Sequence, residues 1–64
     1  MHKKLIASEM HKMGFEISIW STGVVVMLKN RIVSQMEVRN ALSDAFDGIE
    51  FELTNTTHGV LVSA

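Results

Sequence analysis

The chain predicts an α+β domain in the order α-β-β-α-β-β, and three observations in its 64 residues carry that prediction. Hydrophobic residues recur first at helical spacing, then alternate, and the same sequence of periods is repeated once. Glycines at positions 14, 23, 48 and 59 stand where one pattern stops and the next starts. Proline is absent, so nothing in the chain interrupts an element from within.

The first helix is expected over Lys3 to Met13, where Leu5, Ile6, Met10 and Met13 fall within one arc. Gly14 suits the left-handed residue that follows a helix, and Phe15 can then fold back onto Met10. From Phe15 the period becomes two: Phe15, Ile17 and Ile19 alternate with Glu16, Ser18 and Trp20. Ser21-Thr22-Gly23 reads as a turn and Val24 to Lys29 as the returning strand, ended by Asn30 and Arg31. The second helix is the best specified element. Ser34 and Glu37 form a capping box, flanked by Val33 and Val38 as a hydrophobic staple. Val38, Ala41, Leu42, Ala45 and Phe46 then make an unbroken apolar stripe, which Gly48 is expected to stop. Ile49, Phe51 and Leu53 alternate with Glu50, Glu52 and Thr54 as a third strand. Asn55 to Gly59 makes a polar turn, and Val60 to Ser63 a short fourth strand.

Two hairpins joined by a helix point to one four-stranded, mainly antiparallel sheet with both helices on one face. This order resembles a circularly permuted ferredoxin-like arrangement, a likeness of topology alone that implies nothing about function. It places the second and fourth strands in the centre. The runs Val24–Lys29 and Val60–Ala64 are nearly continuous in apolar residues, whereas the two expected edge strands alternate and carry the glutamates.

The register of the first hairpin is open. With Trp20 opposite Val25, as expected for an even loop of two or four residues, Ile17, Ile19, Val26 and Leu28 point inward, Glu16 meets Lys29, and Val25 and Met27 lie outward. A three-residue loop with Gly23 left-handed turns Val24, Val26 and Leu28 outward instead. In either case Trp20 and at least two aliphatic residues occupy the face away from the helices, joined by Leu61. The expected self-association surface is therefore Trp20, Val25, Met27 and Leu61.

Length favours such a partner. A single domain of residues 1–64 buries only ~60% of its unfolded surface, and with no cysteine it has neither disulfides nor thiolate zinc sites. At 47% hydrophobic residues it is too apolar for a disordered tail. Its start lacks the apolar stretch of a signal peptide, and no run reaches the length of a membrane span, so the expected location is cytoplasmic.

Six Lys and Arg against seven Asp and Glu give no basic excess of the kind a duplex binder shows. A local patch of Lys29, Arg31, Arg39 and Asn40 near the second helix is the basis of an alternative reading as a nucleic-acid-binding regulator. Catalytic chemistry finds little footing. His2, His11 and His58 come from a terminus, a helix end and a turn, without ligand spacing. Glu16, Glu50 and Glu52 read as solvated strand positions, and Ser34 is committed to its cap. No catalytic, cofactor-binding or metal-binding residue is assigned and no small molecule is inferred. The expectation is a non-enzymatic protein–protein interaction or regulatory module that forms a homodimer: a small inhibitor, adaptor or assembly factor.

Overall fold

A computed structural model describes residues 2–64. Helix α1 spans Lys3–Lys12, strand β1 Glu16–Trp20, strand β2 Gly23–Met27, helix α2 Gln35–Ala45, strand β3 Leu53–Asn55 and strand β4 Val60–Ser63. All three strand pairings are antiparallel and join into one four-stranded sheet, β1-β2-β4-β3. The central pair is β2 and β4, an order consistent with the permuted ferredoxin-like arrangement.

Both helices lie on one face. Ile6 and Met10 of α1, and Val38, Ala41 and Leu42 of α2, share a core with Val24, Val26, Val60 and Val62 of the central strands. Helix α1 ends one residue before Met13, which caps it. Gly14 takes a φ of +96°; its N–H bonds to His11 O, and the Phe15 N–H reaches Met10 O. That pair of bonds is a Schellman motif. At the start of α2 the capping box forms as expected: Ser34 Oγ accepts from the Glu37 amide, and the Ser34 amide donates to Glu37 Oε2 at 2.9 Å. Val33 and Val38 are both buried as the staple.

Three boundaries differ from expectation. Strand β2 stops at Met27, and Leu28 turns to pack on the core without continuing the ladder. Helix α2 ends at Ala45, because Phe46 leaves helical geometry at φ −133° and ψ 76°, ahead of Gly48. There the Phe46 ring is buried and meets Phe51 edge-on at 5.7 Å. Strand β3 begins only at Leu53. In the β3–β4 register Leu53 faces Val62, so Phe51 would need a partner beyond Ser63, where β4 stops.

The hairpin register is also settled. Trp20 pairs with Gly23 across a two-residue turn, so Glu16 faces Met27, not Lys29. The face assignment follows the even-loop expectation: Ile17, Ile19, Val24 and Val26 point to the helices, and Ser18, Trp20, Val25 and Met27 point away. Glycine is required at Gly23 and Gly59. A β-carbon would strike the Val62 carbonyl at the first and the Val26 carbonyl at the second. These two positions flank the β2–β4 contact and let the backbones lie close.

The outer sheet face as a candidate interface

Pairing across the sheet aligns Ser18, Val25, Leu61 and Thr54 in one row on the face away from the helices. Trp20, Gly23 and Ser63 form the neighbouring row, where the small residues leave space beside the indole. That indole does not stand over its own row. Its Nε1 donates to Ser18 Oγ at 3.0 Å, and its ring meets the His58 imidazole edge-on at 5.7 Å. His58 belongs to the β3–β4 turn near the Met27 end of β2, so the indole crosses the Val25 row on the way. The result is a lid. Val25 has 0% exposure although no helix covers it.

The residues expected for self-association, Trp20, Val25, Met27 and Leu61, thus come together on one face, but unequally. Trp20, Met27 and Leu61 are half-buried, and Val25 contributes no surface because the other side chains already enclose it.

The turn carrying His58 is closed by Thr56, whose Oγ1 donates to Gly59 O at 2.8 Å and accepts from the amides of His58 and Gly59. This hydrogen-bonded turn brings the imidazole against the indole. The contact escaped sequence reading because Trp20 and His58 are distant in the chain and related only through two strand registers.

Of the four residues in the basic patch, Lys29, Arg39 and Asn40 are exposed. Arg31 is not free: its guanidinium makes a bidentate pair with Glu37, one bond being 3.0 Å long. That pair, then the Ser34 amide, lowers the Glu37 pKa from 4.5 to about 2. The same carboxylate therefore serves the helix cap and neutralises the nearest cation.

The other candidates for chemistry stay apart. Glu16 lies on edge strand β1, whereas Glu52 adjoins the opposite edge through the Ser63 N–H to Glu52 O bond. Among the described residues, no three His, Cys, Asp or Glu side chains group as metal ligands, and no helix is long and apolar enough to cross a membrane.

Sequence reading missed a second apolar feature. Ile32 is 91% exposed and lines a cleft of ≈ 910 Å³ between residues 27–35 and the turn of β3 and β4, and Met36 is 65% exposed. Its one sequence signal is that Ile32 is apolar yet belongs to no periodic run. Compared with known proteins, the chain matches no family model, no curated protein and no solved structure.

Proposed function

We propose that this chain is a small non-enzymatic protein–protein interaction module, acting in the cytoplasm and self-associating through the outer sheet face. The observation supporting this reading is the half-exposed cluster of Trp20, Met27 and Leu61 around the enclosed Val25. A preformed, flat aromatic surface loses little conformational freedom on docking, and aromatic and Met side chains are enriched at interface centres. The small core gives the same reading a thermodynamic motive, since each half-exposed apolar side chain has burial energy still to gain. Regulatory roles as inhibitor, adaptor or assembly factor suit a module of this kind.

Sedimentation equilibrium of the wild type and Trp20→Glu across a concentration series tests the proposal. The wild type should self-associate at low micromolar concentration, and the folded variant should sediment as a smaller species. A wild type that sediments as a monomer throughout rejects the reading. Titration with labelled oligonucleotides at two salt concentrations tests the alternative, for which Lys29, Arg39 and Asn40 remain exposed and Arg31 is paired.

A further inference from the structure

The edge of the sheet at β1 carries its own pairing information. The Ala64 N–H donates to Thr22 O at 3.2 Å, and hydrogen-bonded pairs in an antiparallel ladder recur at every second residue. Val24 and Val26 therefore turn their amides and carbonyls towards β4, and Gly23, Val25 and Met27 turn theirs towards Trp20, Ser18 and Glu16 of β1. What remains on the open edge is the backbone of Ile17 and Ile19.

Those two residues are related by a two-fold axis through Ser18. A second β1 strand laid antiparallel about that axis sets Ile17 opposite Ile19 of the other copy, and both pairs have their N–H and C=O groups aimed at each other. The side chains agree with the backbone. Ile19 is 55% exposed and shares with Ile17 a groove beneath α1, so the pairing covers each isoleucine with its counterpart.

Charge selects the same orientation. Lys3 Nζ donates to Trp20 O and Ser21 O, both at 2.9 Å, placing a cation at one end of β1. Glu16 stands exposed at the other end, with no hydrogen bond or ion pair among the described residues. Antiparallel pairing brings opposite charges together, whereas parallel pairing sets like against like. The opposite edge is less suited: β3 has three residues, and the Asn55 side chain is held by Gln35 at 3.1 Å.

The geometry points to a second copy of this chain adding to β1, so that two four-stranded sheets join into one of eight strands. This inference rests on the self-association reading but names a contact separate from the outer face, and the experiment distinguishes the two. The chain has no cysteine, so Ser18→Cys introduces a unique thiol. At the two-fold axis, the Cα atoms of a non-hydrogen-bonded pair lie about 4.5 Å apart, within the ~4.4–6.8 Å range that a disulfide spans. Mild oxidation should convert Ser18→Cys to a covalent dimer several-fold faster than Ser63→Cys, whose strand is central. Ile19→Pro removes an outward amide that the isolated chain does not use; it should abolish the edge contact in sedimentation while leaving the circular dichroism of the fold intact. Crosslinking of Ser18→Cys no faster than Ser63→Cys overturns the inference, as does a dimer unchanged by Ile19→Pro. A dimer broken by Trp20→Glu alone leaves the outer-face reading standing and sinks this one.

Discussion

The two faces of the sheet bury the same central strand by different means. Towards the helices, Val24 and Val26 lie beneath a helix layer about 10–12 Å thick and belong to one cluster with residues of α1, α2 and β4. Away from the helices, Val25 reaches equal burial with no helix above it, on the face where the indole is held at Ser18 and against His58 and where Met27 and Leu61 are half-buried. Complete burial of a residue therefore says little about how many neighbours defend it. Damage to the inner face should spread through the core. Damage to the outer face should stay local.

The largest effect is expected on the inner face. Ile6→Ala removes a fully buried side chain and should cost about 2–5 kcal/mol, read from the midpoint of urea denaturation. Trp20→Ala opens the outer face over Val25. With the indole already partly exposed, the loss should be about 1–2 kcal/mol from buried area, and dye binding to the uncovered strand should rise. Trp20→Phe, which keeps a ring but loses the donor to Ser18, should fall between that variant and the wild type. Equal destabilisation by Ile6→Ala and Trp20→Ala would contradict the contrast between a shared layer and a lid.

Helix α2 belongs to the inner layer and is anchored by its cap. Ser34→Ala should cost about 0.5–2 kcal/mol in the same denaturation assay and leave Trp20 fluorescence unchanged. The smallest effect concerns pH. Glu37 has its pKa lowered to about 2, so its charged form is favoured by folding. Its contribution is present above the unfolded value near 4.5 and is lost as pH falls towards about 2. The stability difference between wild type and Glu37→Gln should accordingly be constant above pH ~5 and shrink below it. A difference that grows on acidification would contradict the Arg31 pair as its source.

What could be read before folding divides along the same line. The helices, their caps and the inner stripe were legible because each rests on residues three to five apart: Ser34 with Glu37, Val33 with Val38, Met10 with Phe15 across Gly14. The four outer-face residues were legible as a group because strand parity places them there. Their unequal exposure was not, since it depends on where the Trp20 side chain leans and on His58 arriving from another hairpin. Strand ends were also obscure, because Met27 and Leu53 mark where a partner strand stops, which no local pattern encodes. Arg31 looked available for a partner until the capping carboxylate of Glu37 claimed it.

The position of β4 has a consequence for the order of events in folding. It is the last strand in the chain, yet it lies in the middle of the sheet and is the sole strand that touches both β2 and β3. The first hairpin and the third strand therefore share no ladder until β4 inserts between them, and its partners in β2 lie more than thirty residues earlier. A local hairpin can close early, but the sheet closes only through this long-range step. The molecule should accordingly fold in a single cooperative transition whose rate is set by the arrival of Val60–Ser63.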